Sequence, residues 1–207
     1  MHSHPERALP ADDHVHSEWS WDAFAGSMVE TCARAVELGL PSIAFTEHAD
    51  FSPWVVPPGV ELPERWQPLV HDGVLVPPTL DVTGYLQTLE ECRHRFPSLR
   101  IVSGVELSEP HWHDAATRDL LRRGGFERVL ASVHSGSDAS GGTTELSVQF
   151  EHDPPGDVIR GYLAETARLI EGFDSFEVLA HVDYPVRYWP SGAAPYDVTE
   201  FEEEHRH

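Results

Sequence analysis

The chain contains no lysine and no asparagine, so every fixed positive side chain is an arginine. Codon bias in a G+C-rich genome is the simplest reading of that pattern. Its chemical consequence is firm. No Schiff-base lysine is available as a covalent catalyst, and no phosphate loop of the G-x-x-x-x-G-K-[ST] kind can form. Basic charge is scarce as well: 14 basic residues face 35 acidic ones, a formal charge of −21. That field repels phosphate backbones and argues against nucleic acid as a partner, while leaving room for a small anion held at a local cation. Two cysteines, Cys32 and Cys92, are too few for a disulfide framework. Both fall in expected helices and read as buried free thiols, which suits a reducing cytoplasm. No apolar run approaches the roughly eighteen residues of a membrane span. The polar start MHSHPERALPADD lacks the apolar core of a signal peptide.

What is present is enough for a core. Hydrophobic residues make up 40% of the 207, with six Trp and nine Phe, and the length suits one domain over residues 1–207. Short apolar runs at 11–17, 41–48, 101–107, 127–134 and 176–183 read as strands. Helical patterns fall between them. The first starts at Asp22, carries Phe24, Met28, Cys32, Ala35 and Val36 on one face, and stops at Gly39. Others run from about Asp81 to Phe96, Asp114 to Arg123 and Asp157 to Gly172. Strands alternating with helices imply an α/β fold of parallel β-α units. The proline-rich stretch 51–80 has no clean period and reads as a long irregular excursion, either a cover for a site or a packed surface loop. Residues 135–156 read as a Gly- and Ser-rich loop, and 201–207 as the opening of an acidic helix.

One pattern repeats along the chain. Each apolar run ends in a metal-type ligand: His14 and His16, then Glu47 and His48, then Glu106, then His134, then His181. In a β/α barrel the carboxyl ends of all strands face one mouth, so these residues would converge. His14 and His16 differ by two and point to one face of a strand. A satisfied core or surface histidine is the ordinary reading of any one of them. That reading would have to hold repeatedly at the same relative position. Several imidazoles with carboxylates suit zinc, manganese or iron, and more than one ion. Paired ions lower the pKa of a water and clamp a transferring phosphoryl or acyl group.

The segments DDHVHS (12–17), FTEHADF (45–51), SGVELS (103–108), ASVHS (131–135) and AHVDYPVRY (180–188) resemble the motifs of the PHP family, the polymerase-and-histidinol-phosphatase superfamily, in the family's order. The AHVD segment followed by Arg is most similar to the histidinol-phosphatase branch. The resemblance implies a distorted (β/α)7-type barrel holding two to three divalent ions. It implies that His14, His16 and Glu106 hold one ion, that Glu106, His134 and His181 hold a second, and that His48 belongs to a third together with the residue at position 22. Asp22 is there, as a ligand or as a helix N-cap. Glu47 would support the site from behind. The family's late Ser-Asp-x-His motif and two of the seven strands have no counterpart here, so a barrel incomplete at its C-terminus is expected. His205 and His207 follow no strand-like run and are not taken as ligands.

The activity this implies is a metal-dependent phosphoesterase acting on a small phosphate monoester, with histidinol phosphate the favoured substrate. Glu106 and His134 carry the chemistry in that reading, and Arg187 offers a guanidinium to the phosphate, or is a surface arginine. Two alternatives stand beside it. An amidohydrolase-like metal hydrolase normally wants a carboxylated lysine, which this chain lacks, or an equivalent bridge, which Glu106 would have to supply. A non-catalytic metal-binding barrel is the other. His111, Trp112 and His113 read as a solvated loop, as cleft lining or as added ligands, and Asp183 as an orienting partner of His181 or Arg187. Oligomeric state is not set by the sequence.

Overall fold

The computed structural model describes residues 9–23, 25–56, 59–137 and 143–206. Phe24, His207, the lead-in up to residue 8 and residues 138–142 of the Gly- and Ser-rich stretch lie outside the described residues. The α/β order expected from the sequence is present. It runs β1 (Asp12–Val15), α1 (Met28–Leu38), β2 (Ser42–Ala49), β3 (Trp54–Val55), β4 (Val70–His71), β5 (Val74–Leu75), α2 (Val82–Arg95) and β6 (Arg100–Ser108). It continues with α3 (Asp114–Gly124), β7 (Arg128–Ser132), β8 (Ser135–Ser137), β9 (Thr143–Glu145), α4 (Leu146–His152), α5 (Pro155–Gly172) and β10 (Val178–Leu179). Five strands share one sheet in the order β1-β2-β6-β7-β10, and β1 pairs with β2 in parallel. The chain divides into two compact units, Met1–Ala49 with Leu80–Glu106 and Asp119–Leu130, and Asp50–Thr79 with Leu107–Arg118 and Ala131–His207.

In the first unit, α1 begins at Met28 and not at Asp22. Ser27, extended at φ −146°, accepts a hydrogen bond from the Glu30 amide and is the N-cap. Asp22 precedes the helix in a turn and caps nothing, which settles that half of its reading. Met28, Cys32 and Ala35 recur at helical spacing and are buried. Gly39 ends the helix at φ 74°, a left-handed position that suits glycine. Asp81 caps α2, whose Tyr85, Leu89 and Cys92 meet the buried face of α1 and Phe45 in one core. Cys32 and Cys92 are free, buried thiols, as expected. Burial, then the neighbouring Cys92, pushes the Cys32 thiol up to about 12, so it is no nucleophile.

Strand β6 is buried from Ile101 to Ser108, the signature of a strand covered on both faces. Gly104 is required there, because a side chain would come within 2.7 Å of the Thr46 methyl. The Tyr85 hydroxyl joins the neighbouring strands: it donates to the Phe45 carbonyl and accepts from the Gly104 amide, both at 2.8 Å.

In the second unit, residues 51–80 are not irregular throughout. They hold a small antiparallel sheet in the order β3-β5-β4 and a 3-10 turn at Glu64–Leu69. The 135–156 stretch likewise contains the hairpin β8–β9 and helix α4. Short runs rich in Gly, Pro and Ser show no period, so these pairings left no pattern to read. His111 and Trp112 are not a solvated loop: both ring nitrogens lie on the Glu165 carboxylate, at 2.6 and 2.8 Å. Burial opposes ionisation of Glu165, but those bonds and Arg168 prevail and hold it down at about 2. The expected acidic helix at the end is a pair of 3-10 turns, Val198–Phe201 and Glu204–Arg206. Phe201 is buried there among α5 and its neighbours.

Replacing Tyr85 with Phe removes a buried hydroxyl that satisfies one amide and one carbonyl. We expect Tyr85→Phe to cost about 1–3 kcal/mol of stability, read as a lowered urea midpoint with an unchanged slope. An unchanged midpoint would show that the two strands satisfy these groups without the hydroxyl.

Candidate metal centre

Three imidazoles meet one carboxylate in the first unit. Strand β1 ends at Val15 and delivers His14 and His16 on either side of it. Strand β2 carries His48, and β6 carries Glu106. Glu106 Oε2 lies 2.8 Å from His14 Nε2, 3.3 Å from His16 Nε2 and 3.0 Å from His48 Nε2. Glu106 is fully buried, whereas the rings keep partial exposure of 30%, 28% and 14%. The ring centroids of His16 and His48 are 4.1 Å apart. His48 is held from both sides, because its Nδ1 lies 2.9 Å from Asp22 Oδ1.

Electrostatics make this cluster costly without a cation. Desolvating a carboxylate costs several kcal/mol unless a positive charge compensates it. His16 does not supply one: burial, then the neighbouring His48, pushes it down to about 4, against the pull of Glu106. At neutral pH its imidazole is uncharged, with a lone pair available as a ligand.

The donor atoms lie close enough together to share a cation. Ligand atoms of His16, His48 and Glu106 all lie within 4.8 Å of one another. Two donors on one tetrahedral zinc, each about 2.0–2.1 Å from it, sit about 3.3–3.4 Å apart. The 3.3 Å between His16 and Glu106 meets that edge, whereas the 2.8 and 3.0 Å of His14 and His48 are ordinary hydrogen-bond distances.

Behind the cluster stands Glu47, also fully buried. It accepts from the Ser17 amide at 3.0 Å, the Ser17 hydroxyl at 2.6 Å and the Ser20 hydroxyl at 2.5 Å. Burial raises its pKa, and those serine bonds pull the other way. Ser20 Oγ has one proton, which goes to Glu47. It therefore accepts from the His48 amide at 3.0 Å and faces His16 Nδ1 at 3.4 Å as an acceptor. That places the His16 proton on Nδ1 and turns Nε2 toward Glu106. The sequence reading reached Glu47 but missed Ser17 and Ser20. The only signal for them was their position within four residues of His16, which is weak.

The second unit brings together His134 and His181, their Nε2 atoms 3.3 Å apart and their rings stacked at 5.1 Å, with the Tyr184 ring tilted against both at 5.0 Å. Strand β7 ends two residues before His134. The expected strand at 176–183 is shorter, Val178–Leu179, and His181 follows it at φ 21°. Ser108 Oγ lies 2.7 Å from His134 Nδ1. Glu109 is buried, pushed up to about 7 by desolvation, and its Oε1 accepts from the His134 and Ser135 amides at 2.6 and 2.8 Å. Asp50 Oδ1 lies 4.0 Å from His134 Nδ1. Ser108, Glu109 and Asp50 were not singled out in the sequence.

Arg187 is exposed and lies over the Tyr184 ring, 4.3 Å from its centroid. Asp183 is exposed, and its carbonyl accepts from the Val186 amide. His113 pairs with Ser52 at 2.8 Å and His111 with Glu165, so neither joins His134 and His181. His205 lies in the last 3-10 turn.

Comparison with known proteins places this architecture. The PHP domain pattern matches residues 12–205. The chain is 25% identical over 182 residues to a histidinol-phosphatase of Lactococcus lactis, covering 86% of this chain and 58% of that protein. It is 27% identical over 177 residues to a "Probable histidinol-phosphatase" of Thermotoga maritima, covering 86% and 56%. The chain thus spans a little over half the length of the curated relatives it matches. Its fold matches the crystal structure of the Lactococcus lactis histidinol phosphate phosphatase, complexed with zinc, L-histidinol and phosphate, with a TM-score of 0.70. That likeness covers 94% of this chain and 65% of the other at 22% identity.

Ser20 satisfies three groups at once, so Ser20→Ala leaves the buried Glu47 short of a donor. We expect a loss of about 1–3 kcal/mol, read as a lower thermal midpoint in metal-free protein, with Ser20→Thr close to the original. Equal midpoints for the Ala and original proteins would remove Ser20 from the network.

Proposed function

Because the chain belongs to the PHP family, whose domain covers residues 12–205, we propose that it is a metal-dependent phosphoesterase acting on a small phosphate monoester, with histidinol phosphate as the substrate. The convergence of His14, His16 and His48 on the desolvated Glu106 carries this reading. The names of the relatives and the zinc, L-histidinol and phosphate of the Lactococcus lactis structure support the choice of substrate and of zinc. Manganese and iron suit the same donors.

The proposed ligands are His14, His16, Asp22, His48 and Glu106, with His134 and His181, for two to three ions. Such ions lower the pKa of a bound water and neutralise charge on the phosphoryl oxygens. The residues of the chain hold and orient. Glu106 offers a desolvated carboxylate that can serve two ions, which an imidazole does not do in ordinary sites. Asp22 lies on Nδ1 of His48, so we assign it to orienting that ring as well as to the expected ligand set. Arg187, braced on Tyr184, supplies a guanidinium for bidentate contact with the phosphate. Glu47 fixes Ser17 and Ser20 behind His16 and His48.

The experiment compares the zinc- and manganese-loaded protein with its Glu106→Gln variant, reading metal content by plasma emission and hydrolysis of p-nitrophenyl phosphate and histidinol phosphate. An amide oxygen is a poor substitute for a carboxylate on a cation. We expect at least one ion to be lost and the rate to fall by more than about 100-fold, since loss of a ligand exceeds the 10–100-fold typical of its supporting groups. Far-UV circular dichroism should be unchanged. Unaltered metal content and rate would remove Glu106 from the site. Hydrolysis of p-nitrophenyl phosphate without histidinol phosphate would keep the chemistry and overturn the substrate.

A further inference from the structure

We propose that Ser108 is a positioning residue for His134: it accepts the Nδ1 proton and so presents the Nε2 lone pair to the metal. The proposal rests on the reading of His134 as a metal ligand. Ser108 is the last residue of β6 and is 2% exposed. Its hydroxyl lies 2.7 Å from His134 Nδ1, a short contact between buried groups. The next residue, Glu109, adopts the left-handed conformation at φ 43° and ψ 52°, an arrangement that a non-glycine residue keeps only when its surroundings impose it. That turn sends the Glu109 carboxylate onto the amides of His134 and Ser135, while the Glu109 amide bonds the Ser132 carbonyl at 2.9 Å. Two consecutive residues therefore grip His134, one by its ring and one by its backbone.

A neutral imidazole carries one proton. If it were on Nε2, it would point at His181 Nε2, 3.3 Å away, and Ser108 would donate to Nδ1. If it is on Nδ1, Ser108 accepts it and both Nε2 atoms can turn lone pairs to a common ion. The 3.3 Å separation falls on the edge of about 3.3–3.4 Å expected for two nitrogen ligands of one tetrahedral zinc. The second arrangement is the one a binding site needs. The hydroxyl of Ser20 faces Nδ1 of His16 in the same sense. Serine is thus used twice to fix the proton on the nitrogen remote from the metal.

The test assigns the His134 ring nitrogens by long-range nitrogen–proton NMR in the metal-free protein and measures zinc affinity by chelator competition. The unaltered protein should carry the His134 proton on Nδ1. Ser108→Ala should shift the population toward Nε2–H and weaken zinc binding about 10–100-fold, with unchanged far-UV circular dichroism. Ser108→Thr, which keeps the hydroxyl, should restore both. A His134 proton on Nε2 in the unaltered protein overturns the proposal, and this measurement decides even if Ser108→Ala does not fold. Original tautomer and affinity in Ser108→Ala overturn it as well. His134→Ala separates the two levels. If that variant loses zinc while Ser108→Ala does not, only the role of Ser108 fails. If it keeps full zinc affinity, the ligand reading beneath the proposal fails.

Discussion

The structure depends on the desolvated carboxylate of Glu106 and the imidazoles drawn up to it. A fully buried carboxylate faced by His14, His16 and His48 is a poor way to stabilise a protein. Its desolvation costs several kcal/mol, and His16 is held neutral by burial and by its neighbours. The proposed divalent cation would supply a compensating charge. Much of the first unit follows from that need. Strands β1, β2 and β6 each bring a proposed ligand from near the carboxyl end, and Gly104 lets the Thr46 methyl come close to β6. Tyr85 locks the Phe45 and Gly104 backbones behind them.

The groups behind the imidazoles matter as much as the imidazoles. A histidine presents the correct nitrogen only when the other one is occupied. Ser20, committed to Glu47, leaves an acceptor facing His16 Nδ1, and Asp22 lies on His48 Nδ1. In the second unit, Ser108 meets His134 Nδ1 while Glu109 takes its backbone amide. Each support comes from a residue close in sequence to another site residue. The strand ends therefore carry both the proposed ligands and the hydroxyls or carboxylates placed behind them.

The periodic parts of the fold were legible in the sequence. The helical face of α1 with Met28, Cys32 and Ala35, the start of α2 near Asp81 and the strand at 101–107 were expected from side-chain spacing, although Val36 of that face is exposed. Also legible was the repetition of His and Glu at strand ends, which singled out Glu106 and the three imidazoles gathered around it. What escaped had no local pattern. The strands β3, β4, β5, β8 and β9 are two or three residues long and pair through backbone groups that any sequence carries. Asp22 was balanced between cap and ligand, and Ser27 took the cap. His111 and Trp112 looked solvated because their partner, Glu165, lies more than fifty residues away. Ser108 and Glu109 were hidden for a similar reason, since their partners at 134 and 135 are distant in the chain.

The central claim is that Glu106 and the imidazoles around it form a metal site. Anomalous X-ray diffraction at the zinc edge, on crystals of the zinc-loaded protein, tests it most directly. The account predicts a zinc peak about 2.0–2.2 Å from a Glu106 oxygen and from at least one Nε2 of His14, His16 or His48. Zinc bound elsewhere, with these four side chains unchanged and no anomalous density between them, would contradict it.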